Sequence, residues 1–156
     1  MFERYNEPAR RVIFFARYEA VQRSSDRITP AHLLLGLIRE NDSRADAVGS
    51  LKAKIPDPCE LLGIQHRPAK EVPFDKKSGP PLNDNAKMVL AYAAQEADGN
   101  RQYWIDTDHL LLGLLRFPNE ASPALAAIPL NLDRFGPHPG VIAKSSLPHR
   151  RQAPAW

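Results

Sequence analysis

The six residues His32 to Leu37, HLLLGL, recur letter for letter at His109 to Leu114, 77 positions later. Sliding the sequence against itself by that step aligns residues 5–39 with 82–116 without a gap, and 14 of the 35 positions are identical. The identities include Asn6/Asn83, Ala9/Ala86, Val12/Val89, Ala16/Ala93, Glu19/Glu96, Ala20/Ala97, Ile28/Ile105 and Arg39/Arg116. Glu7/Asp84, Arg10/Lys87, Ile13/Leu90, Phe15/Tyr92 and Ile38/Leu115 are conservative pairs. Chance does not explain such a match. A period of 77 residues is too long for a solenoid unit, so the chain reads as two copies of one small module. Half of a 156-residue chain is marginal as an independent fold, so the copies are expected to share a core.

The module is helical. Ala9, Val12, Ile13, Ala16 and Ala20 recur at i, i+3, i+4 and i+7 spacing, as do Ala86, Val89, Leu90, Ala93 and Ala97. This small aliphatic stripe lets another helix approach closely. Asn6 and Asn83 are placed as N-caps, and Pro8 suits a first turn whose N–H has no intrahelical partner. The second helix of each copy carries HLLLGL, with Thr29-Pro30 as cap and first residue in one copy and Asp106 or Thr107 as cap in the other. Its leucines leave almost no polar face, so it belongs at the centre. Gly36 and Gly113 each cost about 1 kcal/mol against Ala inside a helix. Their recurrence implies a close backbone approach, with the pseudo-twofold between the copies as one place for it. After these helices the copies diverge. Helices are expected from Ser43 to about Leu51, from Asp57-Pro58 to Gly63, from Ser122-Pro123 to Pro129, and from Asn131 to Gly136. Repeat one therefore spans 1–63, a Pro- and Gly-rich linker 64–81, and repeat two 82–143, together one domain over 1–143, followed by a flexible basic tail over 144–156. No alternating strand pattern occurs. The expected fold is all-α: two four-helix units in one eight-helix bundle.

Composition narrows the function. The net charge is only +3, with acids and bases interspersed except in the run Lys144 to Arg151. That run is read as a solvated end, so nucleic acid is not the expected partner; weak binding through the tail is the alternative. A lone cysteine, Cys59, excludes an internal disulfide and has no evident catalytic partner. The charged N-terminus lacks the apolar core of a signal peptide, and no apolar run is long enough to span a membrane, so a cytoplasmic protein is expected. No G-x-x-x-x-G-K-S/T phosphate loop and no G-x-S-x-G elbow occurs. His32 and His109 stand in first turns with no second metal ligand at useful spacing, so they are read as structural histidines bonding to backbone. Neither enzymatic activity nor a cofactor or metal is expected.

With the capped, alanine-rich helix and HLLLGL present twice, the chain resembles the N-terminal repeat domain of the Clp-type AAA unfoldases. The family's T-E-H-L-L-L-G-L stands here as Thr29-Pro30-Ala31-His32-Leu33 onward and Asp106-Thr107-Asp108-His109-Leu110 onward, and the opening MFERYNEPARRVIFFARYEA matches as well. The likeness covers roughly residues 1–135. It implies a pseudo-twofold eight-helix bundle that receives substrates and adaptors, and similar free-standing domains in plastids associate with the Clp protease core. The expected function is a non-enzymatic protein-binding module: an accessory or adaptor-like factor of a Clp unfoldase or protease, or a receptor for substrate peptides. The alternative is the substrate-receiving part of an ATP-dependent Clp unfoldase subunit. The expected partners are Clp components, adaptor proteins or substrate polypeptides.

Two places are singled out. At the start of each first helix, Asn6 with Arg10 and Asn83 with Lys87 combine free N–H groups with a basic side chain, an arrangement that favours anions. The resemblance implies phosphoarginine there, with a capping threonine, a basic residue and the glutamate of T-E-H as its ligands. Asn6 and Asn83 stand at the threonine positions, and Ala31 and Asp108 at the glutamate positions. On that alignment the first copy has lost its carboxylate and the second keeps a shorter one, so the first site is expected to be dead or altered and the second weak. Ordinary capping with surface charge is the plainer reading. The second place is Phe14 with Tyr18, four residues apart on the face opposite the alanine stripe, where copy two has Ala91 and Gln95. This pair either faces a peptide or protein partner or lies beneath the linker or tail.

Overall fold

The computed structural model describes residues 2–42, 62–64, 70–75, 77 and 79–127. Five helices fall within them: α1 (Glu7–Gln22), α2 (Pro30–Asp42), α3 (Asp84–Gly99), α4 (Thr107–Leu115) and α5 (Ser122–Ala127). No strand occurs among the described residues, only two isolated backbone bridges, so the all-α expectation holds. The helices expected over 43–51 and 131–136, most of the one ending at Gly63, and the tail lie outside the described residues. The last helical residue of that third element is seen at Leu62, followed by Gly63 with φ +63°, the left-handed conformation that ends a helix.

Asn6, Asn83 and Asp106 form predicted caps. Asn6 Oδ1 accepts the Ala9 N–H at 3.0 Å and Asn83 Oδ1 accepts the Ala86 N–H at 2.8 Å. Asp106, rather than Thr107, caps α4, and its carboxylate takes the Thr107 N–H at 2.6 Å. The helices α1 and α3 end alike. Ser24 and Arg101, one repeat apart, both take the left-handed conformation (φ 56° and 57°), and the next N–H turns back to the Ala20 or Ala97 carbonyl.

Within each copy the small-residue stripe packs on the leucine helix, α1 on α2 and α3 on α4. All of Ala9, Val12, Ala16, Ala20 and their mates Ala86, Val89, Ala93, Ala97 are fully buried. The glycines explain the closeness. A Cβ on Gly36 would lie 2.4 Å from the Val12 carbonyl oxygen, and one on Gly113 would lie 2.5 Å from that of Val89. Each glycine thus seats the first helix of its own copy. It does not seat the other copy across the pseudo-twofold, because the stripe that comes within backbone contact belongs to the preceding helix. The two copies meet through α2, α4 and their flanks in one continuous core. Leu33, Leu34, Leu110, Leu111, Leu114, Leu115 and Leu125 are its largest fully buried side chains, each stabilising by about 1.5–3 kcal/mol.

The copies are also joined by backbone. Asn6 N–H donates to the Ile105 carbonyl (3.1 Å) and Ile105 N–H to the Arg4 carbonyl (2.8 Å). Reciprocally, Asn83 N–H donates to the Ile28 carbonyl (2.9 Å) and Ile28 N–H to the Pro81 carbonyl (2.8 Å). Residues 4, 6 and 28 map onto 81, 83 and 105 under the repeat, so the two bridges are images of one another.

Gly36→Ala and Gly113→Ala are each expected to destabilise the fold by about 2–4 kcal/mol, although alanine is the better helix former by about 1 kcal/mol. Urea unfolding followed by circular dichroism measures this; a gain in stability would show that the helices have room to part.

Candidate functional site

The reciprocal bridges decide what stands beside each helix N-terminus. Asn6 is bonded to Ile105, so the start of α1 faces the 101–108 segment of copy two. Asn83 is bonded to Ile28, so the start of α3 faces Thr29, Ala31 and His32 of copy one. The backbone bonds thus set each cap beside the second-helix approach of the other copy. Asn6 and Arg10 share their end of the molecule with the segment carrying Asp108, and Asn83 and Lys87 share theirs with Ala31. The cause is the twofold exchange of backbone between the copies.

At the α1 end, Tyr5, Asn6, Glu7, Arg10 and Trp104 line a groove of about 560 Å³. Arg10 Nε is anchored on the Tyr5 carbonyl (3.0 Å), and Glu7 pairs with Arg11 at 3.2 Å. Trp104 and Tyr103 are 55% and 61% exposed, unusual for such large apolar surfaces, and stack edge-on with ring centroids 5.1 Å apart. Their loop is held by Arg4 of copy one. Its Nη2 meets Asp98 Oδ1 at 2.7 Å and the Gln102 carbonyl at 3.3 Å, its Nε donates to the Tyr103 carbonyl at 2.9 Å, and its guanidinium lies 5.4 Å from the Tyr103 ring centre. An arginine with two partners on the loop and a third at the end of α3 fixes the loop, so the aromatics are presented rather than trailing in solvent. Asp108 stands half exposed in the first turn of α4, three residues past the bridge. The groove carries an aromatic wall, a cation and an anion. Such a mixture suits a segment of polypeptide better than a bare anion.

The α3 end is different. Glu120 lies across it, its Oε2 accepting from Asn83 Nδ2 at 2.7 Å and its Oε1 from Asn85 Nδ2 at 2.8 Å. The positive end of α3 thus already has a carboxylate, supplied by the chain itself. Lys87 is exposed on the next turn, and Ala31 is wholly buried, lining with His32 and Glu120 a pocket of about 300 Å³. Asn85 and Glu120 were not anticipated. Copy one has Pro8 at the position of Asn85, which was the available sign that the two ends differ.

Phe14 and Tyr18 sit on the outer face of α1. Phe14 is 39% exposed and Tyr18 half-buried, and Phe74 of the linker packs edge-on against both. The face is neither open nor closed: the linker covers part of it, leaving a groove of about 530 Å³. His32 and His109 are buried, and each Nδ1 accepts the N–H of the residue three before it, Thr29 at 3.0 Å and Asp106 at 2.9 Å. They close the first turn of α2 and α4 as structural histidines. No group of three or more His, Cys, Asp or Glu among the described residues could hold a metal ion. No helix there is long and apolar enough to cross a membrane. Cys59 lies outside the described residues.

With this geometry in hand, the relatives are informative. Residues 4–128 match the Clp repeat (R) N-terminal domain, and the chain belongs to that family. It is 31% identical over 121 residues to the chaperone protein ClpB of Oceanobacillus iheyensis, a match covering 74% of this chain and 14% of that protein. Identity and coverage are the same for ClpC/MecB of Bacillus subtilis, a negative regulator of genetic competence. The matched part is thus 14% of the length of these relatives. Among solved structures, the N-terminal domain of the chaperone ClpD from Arabidopsis thaliana superposes with a TM-score of 0.63 at 23% identity, over 86% of this chain and 91% of that one. At that identity the likeness bears on the fold alone.

Burial holds the pKa of His32 down at about 4, well below its ordinary 6.5, and the Arg23 charge adds to the effect. Above pH 6.5 the ring is neutral folded or unfolded and no proton is exchanged. As pH falls below 6.5 the unfolded chain takes up a proton that the fold refuses, so stability drops until about pH 4. Relative to His32→Gln, which keeps an acceptor without titrating, the wild type is expected to lose about 2 kcal/mol more between pH 7 and pH 5. Urea titrations at the two pH values measure the difference, and equal losses would mean that the folded ring accepts the proton.

Proposed function

We propose that the chain is a non-enzymatic polypeptide-binding module of a Clp unfoldase or protease system, operating in the cytoplasm. In this reading the groove between Trp104 and the start of α1 takes a segment of a substrate or adaptor protein. The observation that carries it is the exposed Tyr103–Trp104 pair, clamped in place by Arg4 beside Asn6, Glu7 and Arg10. Copy one has Asp26 and Arg27 at the corresponding positions, so the duplicated fold does not require aromatics there. Large rigid aromatics at the centre of a concave surface are the side chains that most often anchor a protein partner. Nothing covalent is asked of the site. It works by docking: an apolar side chain against the indole, with Arg10 and Glu7 holding charged or backbone groups at the rim. Because the matched region is 14% of the length of its ClpB and ClpC/MecB relatives, the same groove would serve an accessory protein acting on a separate unfoldase, or the receiving part of an unfoldase subunit. Asn6 and Arg10 remain the more accessible end, and Asn83 with Lys87 is the end Glu120 already occupies.

Titration of the chain with a permanently unfolded polypeptide, such as reduced and carboxymethylated α-lactalbumin, tests this by calorimetry. Saturable binding is expected, weakened roughly tenfold or more by Trp104→Ala and lowered also by Arg10→Ala, with Lys87→Ala close to wild type. Absence of binding, or binding indifferent to Trp104, would remove the groove from consideration.

A further inference from the structure

The linker makes an unusual contact with α1. Gln22 uses both ends of its amide on one backbone residue: its Nε2 donates to the Val72 carbonyl at 2.7 Å and its Oε1 accepts the Val72 N–H at 2.8 Å. Two residues on, Phe74 places its ring edge-on to Phe14 (5.3 Å) and Tyr18 (5.5 Å). Phe14, Tyr18 and Gln22 lie at i, i+4 and i+8, one continuous line on the outer face of α1. Copy two has Ala91, Gln95 and Gly99 in their places. The line is therefore not part of the duplicated packing scheme.

The chemistry of the seated segment describes what the face accepts. Glu71-Val72-Pro73-Phe74-Asp75 is apolar with an acid at each end. The face it lies on is aromatic with arginines around it. The guanidinium of Arg39 stands 5.1 Å from the ring centres of both Phe15 and Tyr18, and Arg10 and Arg17 line the adjoining groove that shares Phe14. Glu71 and Arg39 line the same groove. The amide fork of Gln22 reads only backbone, so it fits an extended segment of any sequence, while Phe14 and Tyr18 select an aromatic residue two positions later. The strap leaves space beside it, and Phe14 remains 39% exposed.

We propose that this face is a second docking surface, for an extended, acid-flanked polypeptide segment carrying an aromatic residue. The linker strap is its internal stand-in, which an incoming segment displaces. The inference rests on the polypeptide-binding reading above but uses a different face, so the two can fail separately.

The probe is a fluorescein-labelled peptide of residues 70–77 (KEVPFDKK), followed by anisotropy with the full chain. Phe74→Ala loosens the strap by removing its aromatic anchor. Val72→Pro does so independently by deleting the N–H that Gln22 accepts. Both loosened proteins are expected to bind the peptide, and the wild type roughly tenfold or more weakly, because a tethered strap competes at an effective concentration in about the millimolar range. Binding is expected to vanish when the peptide's own phenylalanine is replaced by alanine, or when Phe14→Ala or Gln22→Ala is added to the loosened protein. Trp104→Ala should leave it unchanged. A loosened protein with native circular dichroism that fails to bind the peptide would overturn the proposal. So would equal binding by wild type and loosened protein, or binding lost with Trp104 and kept without Gln22. Peptide binding without any binding of the unfolded polypeptide would remove the first groove and leave this surface standing.

Discussion

Each copy of the module lends its helix approach to the other, and the rest of the molecule follows from that exchange. The hydrogen bonds Asn6–Ile105 and Ile105–Arg4 on one side and Asn83–Ile28 and Ile28–Pro81 on the other satisfy buried backbone groups that a single copy would leave open. They set the register between two halves, neither of which has enough interior of its own. With the register set, α2 and α4 bring their leucines into one core and α1 and α3 close over them. The same bonds carry the start of α1 to the loop before α4, and so create the groove beside Trp104.

What the two copies share is packing, and where they differ they carry the surfaces. The shared set extends beyond the alanine stripe. Glu19 meets Arg39 at 3.0 Å and Glu96 meets Arg116 at 3.7 Å, in both copies a buried carboxylate on the first helix paired with an arginine of the second helix or its C-cap. Each arginine also lies over an aromatic ring of the first helix, Arg39 over Phe15 and Arg116 over Tyr92. Each arginine neutralises a buried carboxylate, Glu19 with the help of Arg23 as well, which explains the identity at these positions without invoking a ligand. The differences are concentrated elsewhere. Asp26-Arg27 became Tyr103-Trp104, Pro8 became Asn85, and Phe14, Tyr18 and Gln22 became Ala91, Gln95 and Gly99. Those substitutions open one helix N-terminus, close the other with Glu120, and give only one copy a face for the linker.

Helix type, caps and core were legible because they rest on local periodicity and on short-range bonds. Asn6, Asn83 and Asp106 act within three residues of themselves, and the stripe of Ala9 to Ala20 is visible as spacing alone. The glycine approach was legible as closeness but not as partner. A small residue announces that something comes near, while the identity of the neighbour depends on how α1 turns back onto α2. The candidate site was the least legible part. An alignment of the copies places Ala31 with Asn6 and Asp108 with Asn83, since it compares like with like; the fold places unlike with unlike, because a twofold brings opposite ends together. Glu120 and Arg4 act across 37 and 94 residues of chain, and no spacing rule reaches that far. Phe14 and Tyr18 were visible as a pair because Ala91 and Gln95 stand opposite them in the repeat, but their companion Phe74 lies in a linker without periodicity.

The three grooves on α1 lie in a row and remain separate places. Arg10 borders both the Trp104 groove and the next, and Phe14 borders that one and the groove beneath the strap. From Asn6 to Tyr18 the helix rises about 18 Å, at 1.5 Å per residue. An extended chain covers that distance in about six residues, at 3.3 Å each. The Trp104 groove and the strap face thus stand at opposite ends of α1, with arginines between. The alanine stripe holds the opposite side of the same helix rigidly against α2. A helix fixed by backbone contact on one side presents a preformed support on the other, so the ordering cost in the receptor is confined to displacing the strap. The remaining cost falls on the incoming chain, which an unfolded or extended segment meets by giving up its own freedom and no folded structure.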